Sequence, residues 1–448
     1  MKKYILPIIT LLTTIITTLF VLKLNVLPNK YLILFISIEL ILFLLSLIQI
    51  KKNKTLKIIG IILSVLLIII NITGLYYINN TNKFIEKNFT GDIKYTSVYY
   101  VITDKDNKEE SLDNIKNIKY YKYSYNVEQA KTILGEYNYE EIDNIEDTLK
   151  NIKNNYLLID ENNYKLLKEK YKIIYEFNIE TTKPRKKEKL DSYNIYLGGR
   201  DFTRTLMDFN MIITINNNTK TILLTSIPRD YYINIPNYNT YDSLEFMGLL
   251  GEETIMSSLE NLLDTKIDYY TSIYTEGLVE VTDLLGGIEY CSDTTFTTTH
   301  AKVLDTYDDS YGEKLTINKG CQHLNGIETL TLARERKNVG SDRQRQKNCA
   351  KILKSILNKS LSTKTLTNYQ ELLNKVSDLY QTNINKETIQ TLIKNLLNNN
   401  YTIIEQSLDG SDGNNYIRLG SVKSYVMYPY EDSVLEAKTK IKEILQGE

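Results

Sequence analysis

"DFNMIITINNNTKTILLTSIPRDYY", Asp208 to Tyr232, is the stretch on which the fold turns. Two apolar runs, FNMIITI and TILLTSI, flank the turn-rich NNNTK, so the segment reads as a β-hairpin. A turn near residue 218 sets residue 208 opposite residue 228, which brings Asp208 at the entrance close to Arg229 at the exit. The charges then gather at the mouth of a sheet and not in its core. Asp201, just after the strand-like YNIYLGG (193–199), reaches the same end.

Working outward, amphipathic helices are predicted at EETIMSSLENLLD (252–264) and TEGLVEVTDLLGG (275–287). A strand IEYC (288–291), a polar loop and helices from 326 and 342 come next. Strands interleaved with helices predict an α/β/α sandwich about one mixed sheet.

The helix SDRQRQKNCAKILKSILNK (341–359) places Cys349, Ile352, Leu353, Ile356 and Leu357 on one face. One turn back on that face stand Arg345 and Gln346, where core residues belong. A helix N-terminus beside an inward arginine suits an anion, and a buried carboxylate would satisfy the same arginine. Upstream, ARERK supplies Arg334 and Arg336, which do not share a face of one continuous helix. Either one faces solvent, or the helix ends here and both turn to one ligand. Arginines with a carboxylate pair suit phosphate chemistry, since guanidinium forks grip phosphate oxygens and carboxylates hold Mg²⁺. A structural salt-bridge network uses the same residue types.

The N-terminus is apolar in three runs, 4–22, 31–50 and 57–77, each close to the ~20 residues that cross a bilayer as helix. They read as a plain anchor, with no mid-span charge marking a transport path. Lys2 and Lys3 precede the first run and Lys51, Lys52, Lys54 and Lys57 fill the second loop, against Lys23 and Lys30 in the first. The positive-inside bias puts the N-terminus in the cytoplasm and everything after about residue 80 outside. The domain reading is therefore an anchor at 1–80, a small accessory α/β module at 90–182, a linker at 183–191 and the main domain at 192–448. The module has no His, no Cys and no glycine-rich loop, and the linker reads as a solvated lysine cluster. With a net charge of −1 over 448 residues, composition points away from nucleic acid.

Cys291 and Cys321 fall in the outer part, where a disulfide is permitted. It would close a loop of about 30 residues, worth ~3–4 kcal/mol on the chain-entropy model. Cys349 reads as a buried thiol. His300 and His323 have no zinc-ligand spacing to these cysteines.

Together YNIYLGGRD, DFNMIITINNNTKTILLTSIPRDYY, IDYYTSIYTEGLVEVTDLLGGIEY, HLNGIETLTLARERK and GSDRQRQKN occur in the order seen in LytR-CpsA-Psr proteins, which residues 192–448 resemble. The closing QSLDGSDGNNY and SYVMYPYEDSVLEAKTKIKEIL resemble CpsA-like members, as does the layout of three membrane helices and an accessory module. The resemblance implies transfer of a glycopolymer, of teichoic acid or capsular polysaccharide type, from a polyprenyl-diphosphate carrier to peptidoglycan. The product is a phosphodiester and the cofactor Mg²⁺ or Mn²⁺, with polyprenyl-diphosphate pyrophosphatase activity as a side reaction. Carried over by motif, Asp201 and Asp208 match metal-binding aspartates and Arg229 the strand-exit arginine. Arg334, Arg336, Arg345 and Gln346 match the diphosphate-gripping set, joined by Arg204; either Arg204 or Arg200 substitutes for the family arginine missing at 206. Asp230 is the neighbouring motif carboxylate.

This chain departs from the family pattern at three positions. Leu206 replaces an arginine, and in DSLEFMG (242–248) Ser243 and Phe246 stand where many members carry lysine and histidine. The alternative function is accordingly a non-catalytic protein that binds lipid-linked glycan and regulates polysaccharide assembly or export.

Overall fold

The computed structural model describes residues 2–447 except 154, 168–170, 186–189, 239, 305–311, 361–374, 376–377, 399–400 and 421. Three helices, α1 (Lys2–Leu24), α2 (Asn29–Ser46) and α3 (Lys54–Phe89), are long and apolar enough to cross a membrane. The third does not stop at bilayer length. It runs on to Phe89 and inserts Ile85 and Phe89 into the core of the main domain, so the anchor and that domain are joined without a break. The reading of charge-free spans is corrected at Glu39, which sits mid-way along α2. Glu39 is buried at the centre of the bundle, where its Oε2 accepts from Thr14 Oγ1 (3.1 Å) and Asn71 Nδ2 (3.2 Å). A charge-bearing side chain is held at this depth only with such partners.

Residues 93–183 form a five-stranded sheet ordered β3-β2-β4-β1-β5. Its strands are β1 (Ile93–Thr103), β2 (Asn117–Tyr121), β3 (Asn138–Ile142), β4 (Leu157–Asp160) and β5 (Lys172–Lys183). Helices α4 (Val127–Leu134), α5 (Ile145–Lys150) and α6 (Glu161–Lys165) lie between them. The segment after β5 is not simply solvated. Arg185 donates to the carbonyls of Thr382 (2.7 Å), Ile384 (2.9 Å) and Asn88 (2.8 Å), tying α3 to the main domain. Most of the lysine cluster, 186–189, lies outside the described residues.

The main sheet is built on β6 (Ser192–Arg200), β7 (Met207–Asn216) and β8 (Thr221–Ile227). Beyond them are β9 (Tyr232–Ile235), β10 (Thr240–Ser243), α7 (Glu252–Leu263), β11 (Tyr269–Ile273) and α8 (Thr275–Leu284). The expected strand at IEYC is β12 (Ile288–Ser292), but the supposed polar loop after it is strand-rich: β13 (Phe296–Ala301), β14 (Lys314–Ile317) and β15 (Gly320–Leu324) precede α9 (Gly326–Arg334) and α10 (Asp342–Ser360). Their threonine-rich, short alternation carries too little apolar signal to read as strand. β12 pairs with β15 and sets Cys291 opposite Cys321, which form a disulfide. The chain closes with β16 (Tyr380–Thr382), α11 (Lys386–Asn398), β17 (Thr402–Ser407), β18 (Gly410–Ile417), β19 (Val422–Pro429) and α12 (Glu431–Gln446).

The six-stranded mixed sheet runs β16-β11-β6-β7-β8-β17, with β6–β11 and β8–β17 parallel. Alternation along the strands sorts its two faces. Tyr196, Ile212 and Leu223 face α7 and α12, while Tyr193, Ile195, Met211 and Leu224 face α10, α11 and the end of α3. The β7–β8 register differs by one from the expected pairing: Asn210 is opposite Ile227. Continued outward, that register sets Asp208 opposite Arg229 itself.

Candidate functional site

Four local choices bring the charged residues together. Pro228 ends β8, and the turn from Pro228 to Tyr231 leaves Arg229 at the sheet's mouth, its carbonyl accepting from Glu245 N (2.8 Å). Asn325 and Glu328 form a capping box that starts α9. α9 ends at Arg334 because Glu335 turns extended (φ −71°, ψ 128°). The Glu335 carboxylate is buried and binds Thr299 and Asn338, which fixes the turn. Arg334 and Arg336 therefore do face one cavity, as the broken-helix alternative requires.

That cavity is an apolar groove of about 200 Å³. Its floor is Leu197, Gly198, Gly199 and Phe209 from the sheet; its walls are Leu278 and Val281 from α8, Leu330 and Ala333 from α9, and Cys349, Ile352, Leu353 and Ile356 from α10. Glycine keeps the floor open, since a Cβ on Gly199 would lie 3.0 Å from Phe209 Cβ and press on it. Asp208, Arg229, Arg334, Arg336 and Arg345 also line this groove.

Around Arg229 the charges alternate. Its Nη1 donates to Asp208 Oδ1 and to Glu245 Oε1 (2.9 Å), and Asp230 Oδ2 lies 4.0 Å from Nε. Burial works against its charge, but Asp208 and Glu245 outweigh it and raise its pKa. Arg345, 5% exposed, donates from Nε to Asp342 Oδ1 (2.7 Å), and Gln346 Nε2 donates to Asp342 Oδ2 (2.8 Å). Burial would lift Asp342, yet Arg345 holds it down at about 2. The carboxylate alternative for the inward arginine is thus met, but not completely. Arg229 Nε and Arg345 Nη2 are buried with no hydrogen-bond partner among the described residues. An unmet charged donor costs on the order of 1–3 kcal/mol or more, so two at one groove end mark a place for an anion.

Burial pushes Glu245 up to about 7 and raises Asp230 as well, with Arg229 pulling both back. Arg336, at the rim, is lowered by partial enclosure and by Arg229 and Arg345. Burial raises the Cys349 thiol to about 11, which keeps it inert.

Other expected site residues lie apart. Arg204 is 45% exposed; it pairs with Glu276 (3.2 Å), stacks on Tyr274 and does not line the groove. Asp201 is buried beneath the 201–206 turn, where Oδ1 accepts from Thr205 N (2.9 Å) and Leu206 N (3.0 Å) and Oδ2 from Thr203 Oγ1 (2.6 Å). For a divalent ion this donor set fits only in part: Asp208 lines the groove and Asp201 does not, and among the described residues no three His, Cys, Asp or Glu side chains cluster as a metal site. The sequence reading missed Asp342 and Glu245. The i,i+3 and i,i+4 spacing of Asp342 to Arg345 and Gln346 was a usable signal; for Glu245, brought in from a separate loop, there was none.

A model described as the LytR_cpsA_psr family matches residues 156–443. A TagU of Enterococcus faecalis, named a polyisoprenyl-teichoic acid–peptidoglycan teichoic acid transferase, is 31% identical over 187 residues, covering 41% of this chain and 57% of its own. The Bacillus subtilis protein of the same name is 30% identical over 216 residues, covering 46% and 66%. The chain thus spans less than two thirds of these curated relatives. The crystal structure of B. subtilis TagV superposes with a TM-score of 0.48 at 23% identity, covering 58% of this chain and 99% of that one.

Proposed function

The chain belongs to the LytR_cpsA_psr family, and from that premise we propose that it transfers a glycopolymer from a polyprenyl-diphosphate carrier to peptidoglycan, as a phosphotransferase that forms a phosphodiester. The observation that carries this is one juxtaposition: an apolar groove ending on two buried guanidinium N–H groups, Arg229 Nε and Arg345 Nη2, that make no hydrogen bond among the described residues. The polyprenyl chain occupies the groove between the sheet and α8, α9 and α10. The diphosphate lies against Arg229, Arg334, Arg336 and Arg345, whose forks suit its oxygens.

An acceptor hydroxyl then displaces polyprenyl phosphate, and positioned positive charge stabilises the phosphoryl oxygens as the bond changes hands. Mg²⁺ or Mn²⁺ belongs to this proposal: Asp208, with Asp201, would hold it, and it would neutralise diphosphate charge. Water in place of the acceptor would give pyrophosphatase activity. The lysine distribution supports an N-terminus in the cytoplasm and a groove outside, on the side of the wall polymer.

The test uses full-length protein in detergent with a polyprenyl-diphosphate-linked glycan, and tracks polyprenyl phosphate release with and without Mg²⁺. Metal-dependent release in the wild type, lost in Arg229→Ala and Asp208→Ala, supports the transferase. Tight retention of the lipid without product under every condition would instead favour the glycolipid-binding protein, to which Leu206, Ser243 and Phe246 point.

A further inference from the structure

A second cavity, of about 610 Å³, lies beside the groove. Arg229 and Arg336 line both, so the two guanidinium groups form the partition between them. We propose that this second cavity receives the acceptor glycan, a hydroxyl-rich and uncharged segment, with Ser243, Phe246 and Tyr425 as its contact residues. The proposal rests on the transferase reading and deepens it.

Three observations support it. In-line displacement at phosphorus puts the attacking and departing oxygens on opposite sides. With polyprenyl phosphate departing into the groove, the hydroxyl must arrive across the partition, from the second cavity.

The cavity wall also holds an unmet polar group. Ser243 is 1% exposed, and its Oγ has no hydrogen-bond partner among the described residues. A sugar hydroxyl would supply one. The serine is held in place by its neighbour: the Asp242 carboxylate accepts from Ser243 N (2.7 Å), Arg418 N (3.1 Å) and Leu419 N (2.7 Å), which fastens β10 to the turn between β18 and β19.

Finally, the wall is composite. Glu146 of α5 reaches it from the five-stranded module and pairs with Arg418 (3.7 Å), while Tyr425 comes from β19. The 41% exposed Tyr425 offers an aromatic face of the kind on which sugar rings stack, and Phe246, with the Arg418 guanidinium 6.0 Å over one face of its ring, adds an apolar edge to the wall. Carboxylates from Glu146, Asp230, Glu245 and Asp342 stand against Arg229, Arg336 and Arg418, which disfavours a polyanion. The module thereby acquires a role: it completes the acceptor side.

The experiment titrates full-length protein in detergent with an uncharged probe, the β-1,4-linked tetrasaccharide of N-acetylglucosamine, without donor. Polyprenyl diphosphate is titrated in parallel. Ser243→Ala adds no bulk and Tyr425→Ala changes a side chain at the surface, so both variants fold. Each is expected to weaken tetrasaccharide binding about tenfold, the worth of one hydrogen bond or ring contact, and to leave polyprenyl diphosphate affinity unchanged. A wild type that does not bind the tetrasaccharide, or variants that bind it as tightly as the wild type, would overturn the proposal. Loss of polyprenyl diphosphate affinity in the variants would also overturn it, by moving the cavity to the donor. Variant-sensitive tetrasaccharide binding in a wild type that ignores polyprenyl diphosphate would support the glycan site and sink the transferase reading alone.

Discussion

Arg200 and Arg229 stand at the same end of the same sheet, and their surroundings differ in one respect. Arg200 ends β6 with all three guanidinium nitrogens engaged: Nε and Nη2 on Glu252 Oε1 (3.1 and 2.6 Å), and Nη1 on the carbonyls of Arg204, Thr205 and Gly248 (3.1–3.3 Å). Ser272 adds a further bond to the same carboxylate oxygen. Arg229, nearly as buried in its side chain, has no hydrogen bond on Nε among the described residues, with Asp230 4.0 Å away, and shares Nη1 between two carboxylates. The first arginine is a complete internal network, and the second is complete only with a ligand. Burial and charge alone do not separate structural from binding arginines; the count of unmet donors does.

The largest effect that would test this contrast is on stability. Arg200→Ala strands Glu252 in the core and should cost ~3–5 kcal/mol, seen as a lowered thermal midpoint of the full-length protein. A midpoint equal to the wild type would mean that the Arg200 network is not structural.

Next, Arg229→Ala should lower transfer ~10²–10³-fold while costing less stability than Arg200→Ala, because it removes a ligand contact. Loss of stability equal to that of Arg200→Ala would erase the distinction.

A smaller effect should appear in pH dependence. Glu245 is raised to about 7 from an ordinary 4.5, so between those values the folded protein holds a proton that the unfolded chain has lost. Its contribution favours the fold on the acid side and is lost as pH rises through 7; Glu245→Gln should flatten thermal stability between pH 5 and pH 8. Asp342, lowered to about 2, acts oppositely: its contribution is present above pH 3.8 and lost as pH falls through 2. Asp342→Asn should therefore lower the midpoint at pH 7 and converge with the wild type in strong acid.

The smallest effect belongs to Arg204. Its exposed pair with Glu276 is worth ~0–1 kcal/mol, and it lies off the groove. Arg204→Ala should leave both the thermal midpoint and polyprenyl diphosphate affinity unchanged, and a clear loss of affinity would return it to the diphosphate site.

Much was legible in the linear chain. Hydropathy alone marks three spans, because an apolar run near bilayer length has few other uses. Two apolar runs about a turn-rich connection mark the hairpin, and helical spacing turns Arg345 inward. Less local features were not legible. The charge-free reading of the spans passed over Glu39, whose partners Thr14 and Asn71 come from the other two helices. The hairpin register was off by one, because a turn of several polar residues does not specify its own centre. Short threonine-rich strands passed for loop.

What the sequence by itself determined is the set of parts: an anchor, an α/β/α sandwich, arginines at helix ends and a strand exit, and the motifs that belong to one family. Each depends on periodicity or on a local stop signal, and those are properties of neighbours in the chain. Only the tertiary structure decided which arginine is spent and which is open. Arg200 meets Glu252 and Arg229 meets Glu245 through contacts between separate elements, and hydrogen-bond satisfaction is a property of neighbours in space.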